Sequence, residues 1–363
     1  MNDRDAWFAL GLVHGLAPSR AFELAERLGG PEAALTAPVS ALRSAGIPDE
    51  VAGRLREAAA LAAAEHERVV GCGAHVVTWA DASYPPRLRP IADPPLALMV
   101  RGTLGADDAP AVAVVGARRA DDYGRRVAGE LATALAQAGI TVVSGLAAGV
   151  DGAAHRGALA AGGRTLAVMA TGIDQIYPSW HRALAAEIAA QGALMTEFAT
   201  GTPPLKHHFP RRNRIVSALA LGVIVVEAAE RSGSLITARC ALDQGRAVFA
   251  VPGPIGDGRH RGSHRLIQQG AILVTRVEDV LDELAPALLS RLAAARAAVA
   301  VAALAPEERR VLEAIGHDAT HVDTIVARTG GQGGEALSTL LALELRGLVE
   351  QRPGGWFVSR RAA

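Results

Sequence analysis

The chain has 363 residues, half of them hydrophobic, which allows two or three domains with sizeable cores. Its 37 basic and 37 acidic residues cancel, so no global field draws in polyanions or membranes, and its two cysteines, Cys72 and Cys240, point to neither a disulfide framework nor a cysteine-based zinc site. The start Met1-Asn2-Asp3-Arg4-Asp5 lacks signal-peptide character and the longest apolar run, Ile215 to Val226, is too short to span a bilayer, so a cytoplasmic protein is expected.

Residues 1–68 read as a small helical domain. Amphipathic spacing over Ala21–Leu28 ends at Gly29-Gly30, and further helices fit Val39–Ser44 and Asp49–Arg68. A strand, Ala74–Trp79, follows. The rigid proline passage Tyr84-Pro85-Pro86 and Asp93-Pro94-Pro95 then precedes a second strand, Leu96–Val100.

From Ala111 the pattern changes to short apolar runs alternating with helical segments. The runs are Val112–Val115, Thr141–Val143, Thr165–Met169, Ala193–Met195, Val223–Val226, Ala247–Val251 and Ala271–Val274. Continuous apolar strands of this kind are buried on both faces, which predicts an α/β fold over residues 69–285: an extended, Rossmann-like, doubly wound and mainly parallel sheet. Such sheets bind ligands beyond the carboxyl ends of their strands, so the loops there carry the function. An Ala-rich linker is expected over 286–305. In residues 306–363, helices at Glu307–Ile315, Val322–Arg328 and Glu335–Arg346 and strands around Pro353-Gly354-Gly355 outline a winged helix.

Charge is concentrated in the central domain: Ala111–Arg276 holds 18 Lys+Arg against 11 Asp+Glu. Only one of the 37 basic residues is a lysine, Lys206, and it opens the run Lys206-His207-His208-Phe209-Pro210-Arg211-Arg212-Asn213-Arg214. No acid interrupts Phe198–Val226. Clustered cations beside an aromatic ring suit a phosphate track with a stacking platform, which points to nucleic acid. The competing reading makes Phe209 a core residue and pairs the arginines with Glu197 and Glu227.

The other strand-end loops carry matching chemistry. After the first core strand, Gly116-Ala117-Arg118-Arg119 lacks the later glycines of GxGxxG and fills the pyrophosphate space with arginine, so no NAD or FAD site is expected. Arg118 is placed either to fork onto a phosphate or to pair with Asp121 or Asp122. Ser144-Gly145 after the next strand allows close backbone approach, and Asp151 is positioned to cap the following helix and to bond His155 four residues on. Ser232-Gly233-Ser234 combines helix capping with an anion cradle of backbone N–H groups. His207-His208 and the pair His260 and His264 lack acid or cysteine ligands nearby in sequence, so no metal site or cofactor is expected.

Five of these segments, in order, resemble the DNA-processing protein A family (DprA, also called Smf). They are Val114–Arg118, Ser144–Ala147 with Gly149-Val150-Asp151 and Ala154-His155, Phe209–Ile215, Gly233–Ala238 and Val251-Pro252-Gly253. Members of the family usually read Gly-Ser-Arg where this chain has Gly116-Ala117-Arg118. The resemblance implies a non-enzymatic, sequence-nonspecific single-stranded DNA-binding protein that loads the RecA recombinase onto incoming DNA in natural transformation, acting as a homodimer. It points to Arg118, Lys206 and Phe209 as DNA contacts, with the arginines after Pro210 lining the pocket; together with the loop readings, the expected DNA contacts are Gly116, Arg118, Arg119, Ser144, Gly145, Lys206, Phe209, Arg211, Arg212, Asn213, Arg214, Ser232, Gly233 and Ser234. It also implies that the N-terminal helices, with their hairpin Gly15-Leu16-Ala17-Pro18, are helix–hairpin–helix or SAM-like, and that the C-terminal unit serves protein contact or regulation. The alternative reading is a nucleotide-binding Rossmann-like hydrolase with Glu197 or Glu227 as its acid–base group.

Overall fold

The computed structural model describes residues 2–105, 108, 110–256, 258–287, 304–315, 319–330, 333–345 and 348–359. The chain divides into two compact units, Met1–Glu283 and Leu284–Ala363. Most of the linker expected over 286–305 lies outside the described residues.

Five helices begin the first unit: α1 (Asp3–Gly11), α2 (Pro18–Leu28), α3 (Pro31–Thr36), α4 (Val39–Ser44) and α5 (Asp49–Gly71). Their boundaries follow local chemistry. The Asn2 side chain accepts the Asp5 N–H at the start of α1, proline occupies the first position of α2 and α3, and Gly29 ends α2 in the left-handed conformation. No break in packing falls at residue 68. Trp7, Leu10 and Leu55 share one core with Met99, Met169, Ile173 and Leu194 of the sheet region. The buried Glu65 carboxylate accepts from the backbone and hydroxyl of Thr200, tying α5 to the loop after a central strand.

Nine strands form one sheet: β1 (His75–Thr78), β2 (Ala97–Gly102), β3 (Ala111–Val115), β4 (Thr141–Ser144), β5 (Thr165–Val168), β6 (Ala193–Thr196), β7 (Gly222–Val225), β8 (Ala247–Ala250) and β9 (Ile272–Leu273). Their order is β1-β2-β6-β5-β4-β3-β7-β8-β9. β1 with β2 and β2 with β6 are antiparallel, and all other pairs are parallel. Every residue of β3 to β7 is buried, as continuous apolar strands require when helices cover both faces. The covering helices are α6 (Asp122–Gln137), α7 (Val150–Ala160), α8 (Arg182–Gln191), α9 (His208–Leu219), α10 (Ser234–Asp243) and α11 (Arg261–Gln268). The strands from β3 to β6 step one way across the sheet and those from β7 to β9 step the other. The two directions part between β3 and β7, which opens a crevice at the carboxyl ends of those strands.

The basic run departs from the expected loop: from His208 to Arg214 it forms the first two turns of α9. Pro210 fits there because the first N–H groups of a helix have no intrahelical acceptor to lose.

The second unit contains α12 (Pro306–Ala314), β10 (Thr320–His321), α13 (Val322–Thr329), α14 (Gly333–Leu345), β11 (Val349–Arg352) and β12 (Trp356–Ser359). Its sheet order is β10-β12-β11, around a core that includes Leu312, Ile325, Leu340 and Phe357. This is the winged-helix outline with one two-residue strand, β10, that is too short to produce a sequence pattern. Arg346 and Gly347 lie outside the described residues. Among the described residues no helix is long and apolar enough to cross a membrane.

Helix α6 crosses α7 where glycine meets glycine. A Cβ at Gly157 would land within contact distance of the Gly129 backbone, whereas one at Gly53, exposed in α5, would meet nothing within 4 Å. The two alanine variants are therefore expected to differ in sign. Gly157→Ala should destabilise by about 1–3 kcal/mol through overpacking, and Gly53→Ala should stabilise by up to ~1 kcal/mol through helix propensity. Thermal unfolding of both variants beside the parent chain checks this.

Candidate nucleic-acid interface

The crevice between β3 and β7 holds a cavity of about 490 Å³. Its walls come from four chain segments: the turn after β3, the turn after β4 leading into α7, the start of α9, and the loop from β7 into α10.

Gly116 lets the first wall close. A Cβ there would stand 2.6 Å from a methyl of Val150 and 3.1 Å from the Glu227 carbonyl oxygen. Beyond it, Arg118 is exposed and lays its guanidinium over the Phe209 ring, 4.1 Å from the centroid. Neither Asp121 nor Asp122 holds Arg118. The Asp121 carboxylate accepts the Gly124 N–H at the start of α6 and pairs with Arg259, and Asp122 pairs with Arg125. Tyr177 meets the Phe209 ring edge-on at 5.9 Å, so this aromatic is held between a cation and a second ring rather than buried in the core. Lys206 is exposed at the same cavity, three residues before Phe209. Among the described residues no acid forms an ion pair with Arg118 or Lys206.

Arg212 is buried at the inner side of the cavity. Its guanidinium takes the space that a side chain at Gly145 would fill. It makes no hydrogen bond or ion pair among the described residues, and its Nε is a buried donor without an acceptor. Burial pushes its pKa down to about 10, opposed by the attraction of Asp151 and reinforced by repulsion from Arg118. Asp151, also buried, is pushed up by burial and pulled back by Arg212 and by the N–H groups of Ala147 and Gly145. Those two N–H groups donate to its carboxylate at 3.3 and 3.1 Å. Asp151 therefore shapes the loop before α7 from inside the helix, whose N-cap is Gly149. The expected bond to His155 is absent. His155 instead meets Thr165 Oγ1 at 2.7 Å, and burial holds its pKa near 3, so it is neutral.

The opposite wall is the start of α10. Ser232 Oγ lies 2.8 Å from Ser234 Oγ and accepts the Ser234 N–H at 3.4 Å. Asn213 donates from Nδ2 to the Gly233 carbonyl at 3.3 Å and so joins this loop to α9. The N–H groups of Leu235 and Ile236 turn back onto the Ser232 and Gly233 carbonyls at 3.1 and 3.2 Å, so this wall meets the cavity mainly through its serine hydroxyls, across from Arg118, Lys206 and Arg212.

Five expected contacts, Arg119, Ser144, Gly145, Arg211 and Arg214, do not line the cavity. Ser144 is fully buried and spends its hydroxyl on the Val114 carbonyl at 2.7 Å, because the strand end lies beneath the crevice. Arg214 is 12% exposed and pairs with Glu197 at 2.8 Å and Asp93 at 3.2 Å, and Arg211 reaches Glu197 at 3.1 Å. The acid-free sequence around Arg211 and Arg214 concealed partners that come from β6 and the proline passage. For the hydrolase reading, Glu197 is committed to these arginines and Glu227 accepts the Asp121 N–H at 3.2 Å; neither carboxylate lines the cavity. Asp151, expected as a helix cap, lines the cavity, and two residues not among the expected contacts join the site, Arg231 at the cavity and Tyr177 against Phe209. Arg231 directly precedes the Ser-Gly-Ser motif, which is the one signal that could have singled it out.

A family model for DNA recombination-mediator protein A matches residues 75–285, and one for the DprA winged helix domain matches residues 295–355. Protein Smf of Escherichia coli is 45% identical over 296 residues, covering 79% of this chain and 78% of that protein. The DNA processing protein DprA of Streptococcus pneumoniae is 46% identical over 203 residues, covering 56% and 72%. The solved structure of the S. pneumoniae protein superposes with a TM-score of 0.68 at 35% identity, covering 78% of this chain and 98% of that one. The Helicobacter pylori DNA processing protein A, whose structure concerns that protein's single-stranded DNA binding mode, gives 0.53 at 30% identity, covering 58% and 96%. With its mainly parallel Rossmann-like sheet and its winged-helix unit, the chain belongs to the DprA/Smf family of DNA-processing proteins.

Proposed function

We propose that this protein binds single-stranded DNA without regard to sequence and passes it to the RecA recombinase during DNA uptake and recombination. The observation that carries the DNA reading is the set of unpaired cations around one aromatic face: Arg118 over Phe209, Lys206 beside them, and buried Arg212 behind, opposite the start of α10. Cations suit phosphate, and an aromatic ring at the cavity suits any base. The sites of this set are tolerant of sequence because stacking and phosphate contact carry no base identity. The H. pylori relative's single-stranded DNA binding supports the same polymer as ligand. RecA and a second copy of this chain are the proposed protein partners, with one strand running across the two crevices of a dimer.

Fluorescence anisotropy with an oligo-dT probe over a salt series tests the DNA contacts. Arg118→Ala and Lys206→Ala should each reduce the slope of log K against log[salt] by about 0.7, the share of one phosphate on a single strand. Unchanged affinity and slope in both folded variants would overturn the reading. Phe209→Ala should cost about 1–3 kcal/mol of binding with the slope retained, because stacking is not ionic.

Gly145→Ala should weaken DNA binding although no charge is altered, because the methyl displaces the Arg212 guanidinium. A Gly145→Ala protein with the parent's melting temperature and full affinity would remove Arg212 from the site. RecA loading is read separately, as the rate of RecA filament formation on single-stranded DNA with and without this protein.

A further inference from the structure

A second group of side chains gathers at the same strand ends, outside the DNA crevice. Asp121, six residues past β3, Glu227, two residues past β7, and His260, just before α11, bring one ligand atom each to within 4.8 Å of one another. None of the three lines the crevice cavity. His260 is fully buried, and both of its ring nitrogens lack any hydrogen-bond partner. Imidazole is rarely left in this condition in a protein interior, where a buried polar atom without a partner is costly. The packing around the group is specific. A Cβ at Gly253 would overlap the imidazole, and one at Gly124 would overlap the Glu227 carboxylate. Tyr123 closes one side with its ring 5.9 Å from that of His260.

We propose that Asp121, Glu227 and His260 form a binding site for one divalent transition-metal ion of the Zn²⁺ or Mn²⁺ kind. Two carboxylates balance the charge of a dication, and the imidazole adds a nitrogen ligand that Ca²⁺ and Mg²⁺ do not favour. The imidazole makes no hydrogen bond to either carboxylate although all three lie within 4.8 Å, so its nitrogens remain unbonded beside the two acids. Asp121 uses one carboxylate oxygen on the Gly124 N–H and faces half-exposed Arg259 with the other at 3.4 Å, the oxygen that a metal would take over. Backbone bonding already orients the ligands. The Asp121 N–H donates to Glu227, which sets the two carboxylates side by side. The ion ties the loop after β3 to the loop after β7, the two walls of the crevice, so its role is to hold that edge in register.

The test uses the full chain, stripped with EDTA and desalted. Titration with Co²⁺ should produce visible d–d bands that saturate at about one equivalent per chain, Zn²⁺ should abolish the bands by competition, and Mg²⁺ at the same concentration should leave them intact. Asp121→Asn, at a partly exposed position, and His260→Ala should each weaken uptake by about tenfold or more. Metal should raise the parent's melting temperature and leave that of Asp121→Asn unchanged. Absence of bands in the parent chain, or an unchanged Co²⁺ spectrum in folded Asp121→Asn, overturns the proposal. DNA affinity plays no part in these readouts, so they stand or fall independently of the DNA crevice.

Discussion

Arg212 reaches beneath the crevice into space that exists only because residue 145 has no side chain. A guanidinium so enclosed, with no carboxylate close enough to pair, leaves positive potential directed at the nearest opening. That opening is the cavity between β3 and β7. Much of the surrounding architecture serves this constraint. Asp151 supplies counter-charge at a distance while bracing the Gly145–Ala147 turn, and Gly116 allows the turn after β3 to close over Val150. Helix α9, which carries Arg212, is anchored by the Arg214 pairs to Glu197 and Asp93.

The basic residues of the central run therefore divide into two kinds of work. Arg211 and Arg214 hold the helix in place, and their charge is cancelled by acids from β6 and the proline passage. Lys206 and Arg212 face the cavity without such partners, and Arg118 joins them over the Phe209 ring. A cation is useful to an incoming phosphate only when its charge is not already spent. By that criterion the effective positive surface is smaller than the run of arginines suggests, and it is concentrated where the ring and the α10 helix start already converge.

The strand order explains why distant segments meet here. β3 and β7 are neighbours although more than a hundred residues separate them, and the chain leaves them in opposite directions across the sheet. Their loops are pushed apart by the helices that follow and leave room for a ligand between. The Asp121, Glu227 and His260 group arises from the same arrangement, with Asp121 from the loop after β3 and Glu227 and His260 from the loops after β7 and β8, on the two sides of that divide.

Apolar periodicity was enough to locate the strands, because a sheet covered on both faces demands unbroken hydrophobic runs, and the five loop motifs were enough to place the family. Strand-end position likewise made Arg118, Lys206 and Phe209 legible as one site. The start of α9 was less so, since its first two turns are polar and Pro210 reads as an interruption unless it falls in the first turn. What tertiary structure alone decided was the fate of each charge: Arg214 neutralised by Glu197 and Asp93, Arg212 buried and unpaired, Ser144 spent on Val114, and His260 set beside two acids far away in sequence. Sequence patterns report what surrounds a residue along the chain. The availability of a charge depends on which groups lie within a few ångströms in space, and those are chosen by the sheet order.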